Sequence, residues 1–197
     1  MNIDIRPATV VDAPAIANIF TTSITTLGSA DYTEEQIAAI VKIHNAESYL
    51  EEIEDNSVII LVAEAGTEVV GFGSVEKNGR TIGDLFVLPD HTRQGIGTLL
   101  LNALEAIALK KRVSKLRVMA SLTARPFYLS RGFQYAKDSA LIDAETGIKV
   151  PCVDMTKVIS HKSNFKEKNL EDYEDLSTFT VPLVLNSGVK ILLGSSN

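Results

Sequence analysis

Gly95-Ile96-Gly97 lies between a strand-like run, Thr81 to Leu88, and a helical run carrying Leu100, Leu101, Leu104, Ile107 and Ala108 on one face. Glycines at such a junction let a ligand approach main-chain N–H groups, and the positive end of the helix dipole attracts anions there, phosphate above all. Three phosphate-binding arrangements compete for this position. A P-loop requires Gly-Lys-Ser/Thr, whereas Gly97 is followed by Thr98-Leu99. A dinucleotide site requires a third glycine where Leu100 stands, and a strand that opens a parallel βαβ unit; here the strand closes an antiparallel meander. The third is a loop that holds the pyrophosphate of coenzyme A, with plain turn glycines as its competitor.

Few other residues have the types and spacing of a reactive centre. His44, His91 and His161 show no metal-ligand spacing, so no metal site is expected. Cys152 sits in a β-type run and reads as a buried strand cysteine. Lys110-Lys111-Arg112 ends a helix, where positive charge complements the dipole.

The elements that must position these residues are legible in outline. Ile3 to Arg6 alternates as a first strand. Asp12-Ala13-Pro14 opens a helix, with Asp12 as its expected cap, and Ile16, Ile19, Phe20 and Ile24 follow at helical spacing. Thr33 to Gln36 has capping-box spacing ahead of Ile37, Ile40 and Val41. A third short helix is expected over Ala46 to Ile53. Val58 to Ala63 is continuous and β-branched, as in a strand buried on both faces. Val69 to Glu76 returns beside it, and Asn78-Gly79 is a strong hairpin signal leading into Thr81. Leu116 to Ala120 reads as a strand. Thr123 is the expected cap of a short helix that Gly132 ends, and Phe133–Ile142 with Ile148–Thr156 makes a last hairpin.

With 197 residues, 45% hydrophobic and 22% charged, the chain has the balance of a globular protein. The early alternation is unlike a secretory signal, and the longest apolar run, Val58 to Ala63, is far short of the ~20 residues that cross a bilayer. A net charge of −6 argues against nucleic acid as a partner, and one cysteine suits a reducing compartment; a cytoplasmic protein away from membranes is expected. The composition divides the chain into a domain over 1–158, a charged linker over 159–177 and an apolar extension over 178–197. The extension reads as a hairpin around Asn186-Ser187-Gly188 that docks on its own domain or on a second subunit, making a homodimer possible.

Residues 3 to about 157 resemble the GCN5-related N-acetyltransferase (GNAT) family. Three segments carry the resemblance: Leu85-Phe86-Val87-Leu88-Pro89, Thr92-Arg93-Gln94-Gly95-Ile96-Gly97, and Ala124-Arg125-Pro126-Phe127-Tyr128-Leu129-Ser130-Arg131-Gly132-Phe133. It implies an α/β (α+β) acyl-CoA N-acyltransferase fold: a mixed, mostly antiparallel sheet with helices on both faces. It further implies an acetyl-CoA cleft where Thr81–Leu88 and Leu116–Ser121 splay apart. By this resemblance, Leu85 and Val87 give main-chain bonds to the thioester and pantetheine. Main-chain N–H groups of Arg93, Gln94, Gly95, Ile96, Gly97 and Thr98 hold the pyrophosphate. Thr92 departs from the usual Arg or Gln, and Ser121 from an Asn that bonds pantetheine. Tyr128 matches the family's frequent proton donor to the leaving thiolate, the competing role being packing beside Phe127.

The family's base, often a Glu on this strand, does not align on Asp84. Asp84 shares a face with Phe86 and is a candidate to orient the amine or a water, against a solvated or salt-bridged carboxylate. Tyr32 and Glu35 fall where relatives build the acceptor pocket, or on a surface helix. Lys110-Lys111-Arg112 is a further candidate for the CoA 3′-phosphate. The expected reaction is direct acetyl transfer to an amine-bearing small molecule or peptide. A non-catalytic CoA-binding sensor or interaction module is the alternative.

Overall fold

The computed structural model describes residues 2–160. The expected hairpin over 178–197, and the linker beyond Ser160, lie outside the described residues.

β1 (Ile3–Pro7) leads through one 3-10 turn (Val10–Asp12) into α1 (Ala13–Leu27), with Pro14 in the first turn, where no hydrogen bond is lost. Asp12 does not cap α1 as expected. Its carboxylate turns back to the Thr9 N–H at 2.7 Å and to two guanidinium nitrogens of Arg6 at 2.8 and 2.9 Å. Asp12 is buried, so the two-pronged charge partner outcompetes a lone backbone bond, and it holds the carboxyl down at about 2.

α2 (Glu34–Ile43) begins at the expected capping box, with reciprocal Thr33–Gln36 bonds of 3.0 and 3.2 Å. α3 (Ala46–Asp55) is capped by Asn45. Then β2 (Val58–Ala65), β3 (Glu68–Glu76) and β4 (Thr81–Val87) form the meander. α4 (Ile96–Lys110), β5 (Lys115–Ser121), α5 (Arg125–Ser130), β6 (Gln134–Ile142) and β7 (Lys149–Val158) complete the fold. Thr123 is not the cap of α5: its hydroxyl donates to Asp31 at 2.6 Å, and Ser121 Oγ accepts the Ala124 N–H at 3.1 Å instead.

The seven strands run in the order β1-β2-β3-β4-β5-β7-β6, and every neighbouring pair is antiparallel except β4–β5. α4 and α5 cover one face, with Leu100, Leu104 and Tyr128 against Leu61, Ile82 and Val118. α1, α2 and α3 cover the other, with Ile16, Phe20, Ile40 and Tyr49 against Val62, Phe72 and Val150. Covering on both faces explains the unbroken apolar run of β2, whose Leu61, Val62 and Ala63 are fully buried.

Candidate active site

β4 and β5 pair only at Thr81↔Arg117 and Ile82↔Val118, then part. The cause lies on the other edge of β4. Gly73 faces Leu85 and Val75 faces Ile82, so β4 carries one extra residue opposite Ser74, a β-bulge. A bulge bends its strand and re-aims side chains. The Ser74 Oγ accepts the Asp84 N–H at 2.9 Å and stands 2.5 Å from where a Cβ on Gly83 would be, so a side chain at position 83 would displace that hydroxyl. The bend takes β4 off β5 and opens a cleft.

The bulge also sets what the cleft sees. The Asp84 N–H and the Leu88 N–H both point to β3, at Ser74 and at Val70 O (2.9 Å). By alternation, the main-chain groups of Leu85 and Val87 face the edge that β5 has left. The Val87 carbonyl accepts the hydroxyl of buried Ser23 at 3.0 Å, while no hydrogen bond of its N–H is seen among the described residues.

Asp84 turns towards α3, where the Tyr49 hydroxyl donates to its Oδ2 at 3.0 Å. It is therefore half-buried and hydrogen-bonded, with no ion pair among the described residues. Tyr49 is 1% exposed; burial first, then the Asp84 charge, pushes its phenol far up, so it stays a donor. Nothing in the spacing of Tyr49 pointed to this bond, which joins residues 35 apart.

Glu52, one turn further along α3, has its carboxyl pushed up to about 7 by burial and then by the charges of Asp84 and Asp55. A raised carboxyl holds its proton in the folded chain while the unfolded chain has released it. Stability therefore falls as pH rises from about 4.5 to about 7, and the loss is complete above that. Glu52→Gln should raise the melting temperature at pH 8 by a few degrees, corresponding to about 1 kcal/mol after solvent screening, and change almost nothing at about pH 3.5, below the unfolded carboxyl's range. Thermal melts at both values check this; an equal shift at both would remove the carboxyl's titration as the cause.

Tyr128 lines the cleft at 3% exposure, its ring edge-on to Phe127 and Phe133 with centroids 5.2 Å away in each case. Burial, then Asp84, raises its phenol above the ordinary value. Tyr32 also lines the cleft: its hydroxyl donates to Pro151 O at 3.0 Å and accepts the Leu122 N–H at 2.7 Å, fastening the end of β5. Glu35 is exposed on α2, away from the cleft lining. Ser121 lines the cleft while its Oγ serves the turn into α5. Cys152 is a buried strand residue at 5% exposure, and burial pushes its thiol up. His44 lines the cleft too, stacked on Phe20 at 4.1 Å with its Nδ1 donating to Ile40 O at 2.9 Å.

Beyond the mouth, Arg93 (φ 62°) and Gly95 (φ 87°) adopt left-handed backbone, winding the loop onto the N-terminus of α4. The N–H groups of Thr98 and Leu99 close on Gly95 O at 2.9 and 3.0 Å, leaving those of Ile96 and Gly97 ahead of the first closed bond. The Thr98 N–H is thus already bonded within the helix. Thr92 and Gln94 brace the loop, Thr92 through its hydroxyl to Pro89 O at 2.8 Å and Gln94 through its amide to Asp90 O at 3.2 Å. Lys110-Lys111-Arg112 lies at the opposite end of the 15-residue α4, about 22 Å away, and does not join the loop.

A family model described as an acetyltransferase (GNAT) domain matches residues 29–158. The chain belongs to the GNAT family. It is 33% identical over 136 residues to the uncharacterized N-acetyltransferase YafP of Escherichia coli K12, covering 69% of this chain and 84% of that relative. Among solved structures, a GCN5-related N-acetyltransferase from Rhodopseudomonas palustris superposes with a TM-score of 0.74 at 29% identity, covering 81% of this chain and 97% of that one. The PaiA N-acetyltransferase of Thermoplasma acidophilum, solved with coenzyme A, superposes with a TM-score of 0.68 at 22% identity, over 81% of this chain and all of that one, and shares the GNAT fold. The mixed sheet with helices on both faces is the GNAT architecture the resemblance implied.

Proposed function

We propose that this acetyltransferase moves the acetyl group of acetyl-CoA directly to a primary amine. The observation that carries the reading is the opening of β4 from β5 after Ile82, which bares the main chain of Leu85 beside Asp84 and Tyr128. The site suits such a cosubstrate. Gly97 has no side chain, and a Cβ there would project towards Leu85 and Phe127, so the helix start and the cleft floor are continuous.

The N–H groups of Ile96 and Gly97, at the positive end of α4, hold the pyrophosphate. The Leu85 N–H donates to the thioester oxygen as charge gathers there, from a backbone fixed before the substrate arrives. Asp84, steadied by Tyr49, accepts a hydrogen bond from the amine and aims its lone pair at the carbonyl carbon. Attack by the neutral amine forms the C–N bond and breaks the C–S bond; the proton that the nitrogen sheds passes by way of Asp84 to the solvent, and Tyr128 donates a hydrogen bond to the sulfur as it leaves as thiolate. Each group acts on a different atom, and none forms a bond to the acetyl group.

Calorimetric titration with coenzyme A, followed by thiol detection with acetyl-CoA and a broad set of amines, tests the reading. Saturable binding and amine-dependent thiol release are expected. Binding without release from any amine would leave a CoA-binding module, and no binding would end the proposal.

A further inference from the structure

The cleft continues past the sheet to the side covered by α1 and α2. Its walls there are Phe20, Ile24, Ile40, Phe86, Leu141 and Val150. Asp84 is the sole carboxylate lining the cleft among the described residues, and neither lysine nor arginine lines it. Two of the polar groups along these walls are already engaged, the Tyr32 hydroxyl with Pro151 O and the Leu122 N–H, and the His44 Nδ1 with Ile40 O, and none of the lining side chains apart from Asp84 is a carboxylate. Asp84 differs. Tyr49 uses Oδ2, and Oδ1 makes no hydrogen bond among the described residues. The cavity is small, about 110 Å³ against the roughly 300–1,000 Å³ usual for drug-sized ligands.

We infer that the acceptor is a small monoamine with an apolar body about the size of one aromatic ring and no anionic group. This rests on the acetyl-transfer reading above.

Charge, polarity and size each narrow the choice. One half-buried carboxylate draws one cation. The second ammonium of a polyamine, or the further ones of an aminoglycoside, would have to shed water against apolar walls with no second carboxylate to meet it. Aromatic faces give little relief, because the Phe20 ring is stacked on His44 at 4.1 Å and tilted against Phe86 at 4.7 Å. An amino acid fails for the opposite reason: its carboxylate finds no arginine or lysine and is repelled by Asp84. A peptide amino terminus brings amide groups that need partners, and the nearby hydroxyl and carbonyl are bonded to each other. An apolar ring, by contrast, is met by Phe20, Ile24, Ile40, Phe86, Leu141 and Val150.

The test uses the full chain with acetyl-CoA and thiol detection, comparing 2-phenylethylamine with L-phenylalanine, spermidine, kanamycin and an alanyl dipeptide, alongside calorimetric titration with coenzyme A. 2-Phenylethylamine and phenylalanine differ by one carboxylate, so their ratio isolates the charge argument. We expect kcat/KM for 2-phenylethylamine to exceed each of the others by at least about tenfold. Spermidine, kanamycin, phenylalanine or the dipeptide turning over as well or better would overturn the inference and leave acetyl transfer standing. Coenzyme A binding with thiol release from none of the five would likewise overturn the inference. Failure of coenzyme A to bind would overturn the acetyl-transfer reading, and this inference with it.

Discussion

Gly97→Glu should abolish coenzyme A binding in a protein that still folds. The two halves of this expectation come from different observations. Folding survives because position 97 does not depend on glycine for backbone reasons. Its φ is not left-handed, and a Cβ there would sit 3.6 Å from Leu85 Cδ2 and from Phe127 Cε2, ordinary contact distances. A carboxylate in the first turn of α4 also interacts favourably with the helix dipole, so thermal stability should hold or rise slightly. Binding fails because the same carboxylate lies beside the main-chain N–H groups offered to the pyrophosphate, while its stem crosses between β4 and α5. Like charges at close range in a partly dry site, added to lost access, should weaken affinity by about 100-fold or more, equivalent to about 2.8 kcal/mol. Gly95 makes a poorer test, since its φ of 87° would strain any side chain and reshape the loop itself. Calorimetry on a variant with an unchanged melting curve decides the matter, and an unchanged affinity would remove the loop from the coenzyme site.

What the sequence disclosed and what it hid divide along the range of the interactions. Thr33 with Gln36, and the left-handed turns at Gly79 and Gly132, are local, and each is where the spacing puts it. The glycine loop was legible because a strand, two glycines and a helix follow within a few residues of one another. Asp12 and Thr123 were misread because each has a partner stronger than the neighbouring helix start: Arg6 across the strand end for Asp12, and Asp31, distant in sequence, for Thr123. The opening of the cleft depends on a bulge between β3 and β4, and a register shift of one residue leaves no periodic trace. Its available signal was Gly83, a glycine inside an otherwise well-formed strand. The support of Asp84 by Tyr49 needs α3 to lie across the sheet. The heptad-like placing of Tyr49 and Ile53 gives the buried face of that helix, but not what that face meets.

Tyr128→Phe should lower kcat by roughly 100-fold with little change in coenzyme A affinity. The ring is held edge-on between Phe127 and Phe133, and phenylalanine keeps those contacts, so the fold and the cleft wall remain. What is lost is one hydroxyl. Burial and the charge of Asp84 raise the phenol above the ordinary value of about 10, while a thiol of the cysteine type titrates near about 8.5. Complete proton transfer to the departing thiolate is therefore uphill, and the phenol acts chiefly as a fixed hydrogen-bond donor to charge that develops on sulfur. That distinction has an observable consequence. The tyrosine stays protonated throughout the working range, so the pH profile of kcat between 7 and 9 should keep its shape when the hydroxyl is removed and only drop in height. A thiol-release assay over that range, with calorimetry as the control for binding, separates the outcomes. A uniform fall in kcat identifies the donor, and loss of a basic limb would mean that Tyr128 itself titrates. An unchanged kcat would return Tyr128 to a packing role beside Phe127.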